Sequence, residues 1–317
     1  MLDLRSVRPM LATPGTHVPR GEEWCHEVKW DGVRAIGALT AGAVILTSRN
    51  GNRISEAWPE LVTPPAGVRD LVVDGEIIAL NDRGVPDFRV VAERMHVRNA
   101  ATVARLAARI PVTYMVFDLL HLDGEDLCGL PLHERRRRLT ALDLSRAGWQ
   151  VPVEYDDGEM LHEATRVQGL EGIVSKRRDS TYRPGERSPH WLKLPHRYRG
   201  SFVVGGWRPQ VGTSDRLAAL LVGEPTAAGL AFRGRVGSGI GPKQSRVLAE
   251  LLAPLARAAS PFGDEVPRVD ADGTRWVEPV VVVDVDTHGV GYERLRQPSY
   301  RGVRTDLTPD DLVPEEG

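Results

Sequence analysis

Apolar and polar positions along the first two-thirds of the chain predict short strands interleaved with helices. Strands are predicted where apolar residues alternate or form short runs bounded by turn residues, at 23–29, 33–39, 44–48, 71–80, 112–120, 151–155 and 172–175. Apolar residues at helical spacing predict helices at 88–96, 102–110, 131–144 and 159–168. This mixture of elements is typical of an α+β domain.

The pattern changes after residue 199. Short strands are predicted at 202–207, 217–222, 230–236 and 277–285, with Gly and Pro between them and a single helix at 242–256. About five short strands with one helix are typical of a small OB-fold β-barrel. We therefore expect an α+β protein with two domains, residues 1–197 and an OB-fold domain of residues 198–317 that ends in a tail.

The composition agrees with two folded domains in a reducing compartment. Hydrophobic residues make up 41% of the 317 residues and charged residues 26%, so each domain can bury a core. No apolar stretch is long enough to span a bilayer, and the first residues do not resemble a signal peptide. The only two cysteines, Cys25 and Cys128, are far apart and are expected to be buried thiols. We expect a cytoplasmic monomer that does not associate with membranes.

Lysine is rare in this chain. Only four of the 41 basic residues are lysines, Lys29, Lys176, Lys193 and Lys243. Arginine stays protonated, whereas a lysine amine can be deprotonated by its surroundings and can act as a nucleophile. The formal net charge of −2 argues against a histone-like nucleic-acid binder but leaves room for a local basic groove.

Lys29 has the strongest chemical signal of the four lysines. A predicted strand leads Lys29 into the turn Asp31-Gly32, and Arg34 follows closely. An amine beside cations and a metal ion loses its proton more easily, as an attacking lysine must. Spacing alone leaves an ordinary surface lysine beside an Asp-Gly turn as an equal alternative.

The segment from Lys29 to Arg34 resembles the K-x-D-G-x-R nucleophile motif of the covalent nucleotidyltransferases, which include ATP-dependent DNA ligases, RNA ligases and mRNA capping enzymes. Further segments resemble the later motifs of these enzymes in the same order, namely 48–51, 74–76, 117–120, 171–176, 191–193 and 294–306. Such an ordered set is more specific than any single motif. The chain most resembles the ligase portion of bacterial end-joining DNA ligases, and we expect that portion to stand alone here.

The resemblance implies a nucleotidyltransferase domain in which Lys29 attacks the α-phosphate of ATP, expels pyrophosphate and forms a lysine–AMP intermediate. For the base, the resemblance implies that Glu27 contacts the adenine amino group and that Phe117 and Val174 lie on its two faces. Glu76 is expected to contact the ribose, and Arg34, Arg49 and Arg187 to contact ribose or phosphate. Lys176 and Lys193 are expected to contact the phosphates. Glu171, together with Glu76, is expected to hold Mg²⁺ or Mn²⁺. Arg304 and Asp306 are expected to meet ATP only in the first step, after a domain movement.

Several of these residues have simpler interpretations. Phe117 lies in an apolar strand and could belong to the core. Asp74 and Glu76 could cap a turn, and Glu171 could be a surface carboxylate. The basic run 135–138 is interpreted as the solvated face of a helix rather than as a DNA contact.

The chain departs from the family pattern at two positions. Pro195 stands where the fifth motif usually has a second lysine, and Leu307 follows Asp306 where the last motif commonly has a lysine. Both missing groups would normally assist the ATP-dependent step. We therefore expect slow adenylylation, a compensating arginine, or a degenerate enzyme.

The predicted function is an ATP-dependent DNA ligase that seals nicks or joined ends in double-stranded DNA. The branch that the chain resembles further implies DNA repair and recombination by non-homologous end joining, with a Ku-like end-binding partner. Three alternatives remain: a capping guanylyltransferase, an RNA ligase, and a ligase-like DNA-binding module disabled at Pro195.

Overall fold

The structure, a computed structural model, describes residues 7–144, 148–213, 216–226, 229–289 and 293–313. The chain divides into two compact units, Met1–Pro195 and His196–Gly317. The predicted domain boundary after residue 197 stays a prediction. Among the described residues, no helix is both long and apolar enough to cross a membrane.

The described part of the first unit contains ten strands and four α-helices. The strands are β1 (Leu11–Pro14), β2 (Trp24–Val28), β3 (Val33–Thr40), β4 (Ala43–Ser48), β5 (Leu71–Ile78), β6 (Thr113–Leu122), β7 (Glu125–Asp126), β8 (Trp149–Gln150), β9 (Gly172–Arg177) and β10 (Arg187–Pro195). The helices are α1 (Phe88–Met95), α2 (Ala100–Arg109), α3 (Leu132–Thr140) and α4 (Gly158–Val167).

These strands form two sheets. The six-stranded sheet has the order β4-β3-β5-β6-β7, with β8 beside β6, and the four-stranded sheet has the order β1-β10-β9-β2. One face of the larger sheet packs on a core that includes Trp58, Tyr114 and Trp149. The Tyr114 hydroxyl and the Trp149 indole donate to backbone carbonyls at 2.7 and 3.0 Å, which satisfies both buried polar groups.

Three helices of the first unit begin at side chains that cap them. Asp87, Asn99 and Asp157 accept hydrogen bonds from backbone N–H groups in the first turns of α1, α2 and α4. The helices predicted at 88–96, 102–110 and 159–168 are therefore confirmed, with ends that differ by one or two residues. Helix α3 ends at Thr140, earlier than predicted.

The interpretation of residues 135–138 as a solvated helix face is wrong for the first two arginines. Arg135 is fully buried and donates two hydrogen bonds to Asp118, at 2.7 and 2.8 Å. Arg136 is also buried, and it donates to the carbonyls of Phe117 and Pro152. These contacts fix helix α3 against β6. The sequence pattern misled because the ion pair with Asp118 and the hydrogen bonds to backbone carbonyls offset much of the cost of burying Arg135.

The described part of the second unit contains seven strands and two α-helices. They are β11 (Arg197–Pro209), β12 (Leu217–Thr226), β13 (Gly229–Val236), α5 (Pro242–Leu252), β14 (Ala256–Arg257), α6 (Arg268–Ala271), β15 (Arg275–Val277), β16 (Val282–His288) and β17 (Ser299–Arg304). They form one sheet, in which β11 pairs with β12, β15 and β16. One face of the sheet and α5 enclose a core of aliphatic and aromatic side chains.

Two predicted strands are wrong. The run 277–285 is not one strand, because residues 278–281, which include Pro279, separate β15 from β16. Residues 151–155 do not form a strand either, since β8 ends at Gln150 and only Tyr155 makes an isolated bridge, with His26. Strands β1, β10, β14 and β17 lacked an alternating apolar pattern and were not predicted.

Candidate active site

Lys29 lies immediately after β2, at the edge of a cavity between the two sheets of the first unit. Its backbone N–H donates to the carbonyl of Gly172 at 2.9 Å, which continues the pairing of β2 with β9. The Lys29 Nζ donates to Glu171 Oε2 at 2.5 Å, and the two side chains are 23% and 17% exposed. The nucleophile candidate and the predicted metal ligand are therefore direct neighbours.

The turn after Lys29 requires both Asp31 and Gly32. A Cβ at Gly32 would lie 2.2 Å from the carbonyl oxygen of Ile77, so no larger residue fits this approach to β5. The Asp31 carboxylate is buried and accepts from the backbone N–H of Phe88 at 3.2 Å, at the start of α1. The chain is thereby held in the path that leads Lys29 into the cavity and Arg34 onto β3.

Neighbouring strands of the four-stranded sheet arrange the predicted residues in rows on one face. Because β2, β9 and β10 are antiparallel, Glu27, Val174 and Lys193 form one row, and Cys25, Lys176 and Trp191 form the next. Pro195 pairs with Gly172, in the row closest to Lys29. The opposite face of this sheet packs with α4.

A buried ion pair joins the row of Lys176 to the row of Glu27. The Lys176 Nζ donates to both carboxylate oxygens of Glu27 at 2.8 Å, and the side chains are 2% and 3% exposed. The same Nζ lies 4.6 Å from the ring centre of Phe117 and 4.4 Å from the ring of Trp191. Lys176 is thus placed beside the aromatic wall of the cavity.

The six-stranded sheet contributes Arg34, Asp74 and Glu76. Arg34 donates two hydrogen bonds to the fully buried Asp74, at 2.6 and 2.7 Å, and its guanidinium lies 4.6 Å from the ring centre of Phe117. Burial opposes the charge on Arg34, but Asp74 raises its pKa above the ordinary value. Asp74 also accepts from the Tyr182 hydroxyl at 2.6 Å. Asp74 lies within β5 rather than at a turn, so the turn-cap interpretation of Asp74 is wrong.

Glu76 faces the same cavity and titrates near neutral pH. Burial raises the pKa of Glu76 to about 7, against the opposing effects of Arg34 and Lys29, and the negative charge of Glu171 adds to the rise. Glu76 lies in β5 too, paired with Arg34 across the strands, and caps no turn. Gly75 has a packing role, since a Cβ there would lie 2.6 Å from the carbonyl oxygen of Met115.

The cavity brings most of the predicted site residues together. Its volume is about 230 Å³, and its walls include Glu27, Lys29, Arg34, Arg49, Glu76, Phe117, Val174, Lys176, Arg187 and Lys193. Burial, followed by the charges of Lys29 and Arg187, lowers the pKa of Lys193. Phe117 lines this cavity and also belongs to a hydrophobic cluster, so its interpretation as a core residue is confirmed, whereas its stacking on adenine stays a prediction.

Arg304 and Asp306 lie in the second unit. Arg304 donates to both oxygens of Asp306, at 2.8 and 2.7 Å, and this pairing lowers the pKa of Asp306 to about 2. Arg304 also approaches Asp284, at 3.3 Å. Leu307 packs against a small apolar cluster of the same unit.

Three residues that shape the site were not predicted from the sequence. Trp30 and Trp191 line the cavity, and the structure gives their buried indole N–H groups no hydrogen-bond partner among the described residues. A ligand acceptor at either group would satisfy it. Tyr182 is distant in sequence from Asp74, and its hydroxyl contact had no sequence signal. Trp191 could have been found from its position two residues before Lys193, on the same face of β10.

Two family models match the chain. The model of the ATP dependent DNA ligase domain matches residues 9–194, and the model of the ATP dependent DNA ligase C terminal region matches residues 213–307. The first model alone covers more than half of the chain. Its match includes every residue of the cavity.

The similar curated proteins are larger than this chain. The multifunctional non-homologous end joining DNA repair protein LigD of Mycobacterium tuberculosis H37Rv is 36% identical over 320 residues, which are 99% of this chain and 41% of that protein. LigD of Mycolicibacterium smegmatis is 38% identical over 324 residues, with the same coverage of 99% and 41%. The chain thus spans about two fifths of the length of these relatives.

A solved structure agrees with these matches. The structure of mycobacterial DNA ligase D complexed with ATP and MES is 35% identical to this chain, with a TM-score of 0.55, and the match covers 99% of this chain and 100% of that one. The predicted fold class, a nucleotidyltransferase domain followed by an OB-fold domain, is confirmed. The chain belongs to the family of ATP-dependent DNA ligases.

Proposed function

We propose that this chain seals breaks in the backbone of double-stranded DNA through a covalent Lys29–AMP intermediate. The main support is the position of Lys29, whose amine enters the cavity at the end of a strand and contacts a carboxylate. Family membership makes ATP the nucleotide. The sequence of steps is lysine adenylylation, transfer of AMP to a DNA 5′-phosphate, and attack by the 3′-hydroxyl with release of AMP.

The first step needs the Lys29 amine in its neutral form. Nζ then attacks the α-phosphorus, a P–N bond forms, and the bond to pyrophosphate breaks. Glu171 Oε2, at 2.5 Å from Nζ, is placed to accept the proton that the ammonium loses. The ion pair holds the amine at the cavity edge, so that attack needs no large movement of the side chain.

Glu171 and Glu76 suit a divalent metal ion that arrives with ATP. Both are oxygen donors at the nucleophile end of the cavity. Burial, with a smaller contribution from the negative charge of Glu171, raises the pKa of Glu76, and a bound cation would favour its ionised form. The described residues contain no cluster of three or more His, Cys, Asp or Glu side chains that could hold a metal. The phosphates would therefore complete the ligand set, as is common for Mg²⁺. When bound, the cation would neutralise phosphate charge and compete with the Lys29 ammonium for Glu171.

The row arrangement orients the nucleotide in the cavity. The α-phosphate must lie at Lys29, so the base extends toward the Phe117 and Trp191 end. Phe117 and Val174 then flank the adenine, and Glu27 accepts from its amino group. Glu76 and Arg34, on the facing sheet, are placed to contact the ribose.

Three basic residues of the cavity wall fit the phosphates. Arg187 and Arg49 are exposed at the cavity rim, and the Lys193 amine lies one row from the nucleophile. The family position of the second lysine is Pro195, in the row closest to Lys29 on the same face of β10. We expect this loss of charge to slow the first step rather than the later ones. Arg304 and Asp306 are proposed to assist the same step.

The biological setting is proposed from the relatives. The LigD proteins are described as non-homologous end joining proteins, and this chain matches about two fifths of their length. We infer that this chain acts in DNA repair and recombination by end joining, on nicks or on ends that a Ku-like protein holds together. A cytoplasmic monomer is the expected form.

The test is covalent labelling of the purified protein. The protein is incubated with α-labelled ATP or GTP and with Mg²⁺ or Mn²⁺, and intact mass measures any AMP already attached. We expect label from ATP, none from GTP, and loss of the label in Lys29→Arg, because arginine cannot become a neutral nucleophile. The control is Lys243→Arg, at an exposed position of α5, which should label normally.

The outcomes separate the alternatives. Label from GTP would indicate a capping enzyme, and sealing of nicked RNA in preference to nicked DNA would indicate an RNA ligase. Absence of both label and attached AMP would contradict the proposed function. Intact DNA binding in Lys29→Ala would then indicate a non-catalytic DNA-binding module.

A further inference from the structure

Trp30 carries a buried hydrogen-bond donor that the protein itself does not use. Its indole N–H is buried and has no hydrogen-bond partner among the described residues, and Trp30 lines the cavity. In the core of the same unit, by contrast, the Trp149 indole N–H donates to the carbonyl of Leu61 at 3.0 Å. Because a buried donor without a partner is costly, an acceptor bound in the cavity beside Trp30 would be favoured.

Trp30 lies at the end of the cavity that holds the nucleophile. It follows Lys29 directly, and strand β2 has already ended, so both residues line the cavity instead of alternating between two faces of a sheet. The backbone is fixed on each side of Trp30. The Lys29 N–H donates to the carbonyl of Gly172 at 2.9 Å, and the buried Asp31 carboxylate accepts from a backbone N–H at the start of α1 at 3.2 Å. The position of the indole beside the Lys29 amine is therefore set before any ligand binds.

The chemistry at this end of the cavity identifies the acceptor. An indole N–H can only donate, so its partner must be an acceptor. The Glu171 carboxylate is already bound to the Lys29 ammonium, at 2.5 Å. In the proposed first step the α-phosphorus must come within bonding distance of the Lys29 Nζ, and its two nonbridging oxygens come with it. A nonbridging oxygen of the α-phosphate is thus the acceptor that a bound nucleotide would present to Trp30.

We propose that Trp30 is a catalytic residue, whose indole N–H donates to a nonbridging oxygen of the α-phosphate and stabilises the charge that this oxygen gains as Lys29 attacks. The Lys29 ammonium first loses a proton to Glu171. The nitrogen lone pair then forms the P–N bond, the electrons of the broken P–O bond leave with pyrophosphate, and a second proton passes from nitrogen to water. Trp30 keeps its own proton throughout. This inference rests on the proposed function, because it takes the cavity as the site of adenylylation.

The experiment measures single-turnover self-adenylylation at one fixed Mg²⁺ concentration, after incubation with pyrophosphate has removed any attached AMP. The substrates are ATP and the two diastereomers of α-thio-ATP, each of which has sulfur in place of one nonbridging oxygen. Sulfur is a weak acceptor, so sulfur at the contacted position mimics loss of the donor. The variant is Trp30→Phe, which keeps an aromatic ring without the N–H. Trp24→Phe, at the other end of β2 and outside the cavity wall, is the matched control.

We expect Trp30→Phe to slow adenylylation at saturating ATP by about 10- to 100-fold, with little change in KM, because the lost contact strengthens in the transition state. The rate ratio of the two α-thio diastereomers should also change several-fold in Trp30→Phe, since one of the two oxygens no longer has a donor. Trp24→Phe should retain both the rate and the ratio. A normal rate in Trp30→Phe, or a slower rate with an unchanged ratio, would contradict the inference.

A second variant keeps the test decisive. A thermal melt verifies folding, and if Trp30→Phe does not fold, Trp30→Leu replaces it in the same comparison and should show the same change in the diastereomer ratio. Failure of the proposed function has a different signature. The native chain would then form no covalent adduct with ATP, whereas failure of this inference alone leaves the native chain active and Trp30→Phe equally fast.

Discussion

Two lysine–glutamate pairs lie at the four-stranded sheet, one within its strands and the other where β2 ends and β9 begins, and they differ mainly in burial. The Lys29–Glu171 pair has an N–O distance of 2.5 Å and side chains that are 23% and 17% exposed. The Lys176–Glu27 pair has a distance of 2.8 Å, with side chains only 2% and 3% exposed. Identical chemical partners are thus placed in two different environments about two rows apart.

This difference corresponds to what each pair must do. In the proposed first step, Lys29 loses its proton and bonds to phosphorus, so its ion pair would have to break in every cycle. A partly exposed pair contributes little to stability and can break at little cost. A fully buried pair is costly to break, because the remaining charge would have no partner, so Lys176 and Glu27 can form a fixed part of the cavity wall.

The largest expected effect is on stability, and it compares the two lysines directly. Lys176→Met should lower the free energy of unfolding by about 3–5 kcal/mol, because Glu27 is left buried without its partner. Lys29→Met should lower it by about 1 kcal/mol or less, because Glu171 can reach water. Urea unfolding followed by far-UV circular dichroism measures both. Equal losses in the two variants would remove the distinction between the pairs.

The next effect concerns catalysis at the partly exposed Lys29–Glu171 pair. Glu171→Gln should slow self-adenylylation by at least about 100-fold, because the proton acceptor at Lys29 is lost. The free energy of unfolding should change by less than about 1 kcal/mol. Single-turnover labelling with ATP measures the rate, and Glu159→Gln, at an exposed position of α4, is the matched control. A normal labelling rate in Glu171→Gln would show that Lys29 loses its proton elsewhere.

A third effect is a pH dependence of stability that arises from Glu76, near the Lys29–Glu171 pair. The pKa of Glu76 is about 7 in the folded chain against an ordinary value of 4.5, so the folded state binds its proton more tightly than the unfolded state. The stabilisation is complete below about pH 4.5 and is lost as the pH rises through about 7. We expect a decrease on the order of 2 kcal/mol between pH 5 and pH 8 without metal.

Glu76→Gln tests the origin of that decrease. Glutamine does not titrate, so the variant should show a much flatter dependence of unfolding free energy on pH, whereas Glu186→Gln, at an exposed position, should retain the native slope. Lys29 and Glu171 both influence Glu76, which assigns this titration to the nucleophile end of the cavity. If the slope survives in Glu76→Gln, another group must be responsible.

The sequence predicted the helices and the strands with regular apolar spacing, because period and caps are local properties. The motif order was also sufficient to predict the family and most of the charged residues of the cavity wall. Strand β10 was missed because each of its faces mixes polar and apolar residues: Trp191 and Lys193 share one face, and His190 and Leu192 share the other. The division of 277–285 depended on Pro279, which lies between two strands that pair with the same neighbour.

Partners that are distant in sequence could not be predicted from local patterns. Arg135 looked like a solvated charge, because its partner Asp118 lies on another element and only the fold makes the pair. The contact between Lys176 and Glu27 spans 149 positions and had no local sequence signal either. The charged residues can be read from the sequence, but the distances between them depend on the strand register of the folded chain.

The smallest expected effect concerns Tyr182, which contacts Asp74 on the six-stranded sheet, across the cavity from the two lysine–glutamate pairs. Its hydroxyl donates to Asp74 at 2.6 Å and accepts from the backbone N–H of Met10 at 2.8 Å, and Asp74 in turn holds Arg34. Tyr182→Phe should lower the free energy of unfolding by about 1–2 kcal/mol, because one buried donor is removed while the bidentate ion pair remains. The KM for ATP in self-adenylylation should rise a few-fold if Arg34 loses its orientation, with little change in kcat. Tyr155→Phe is the matched control, and an unchanged KM in Tyr182→Phe would mean that Asp74 alone is sufficient to position Arg34.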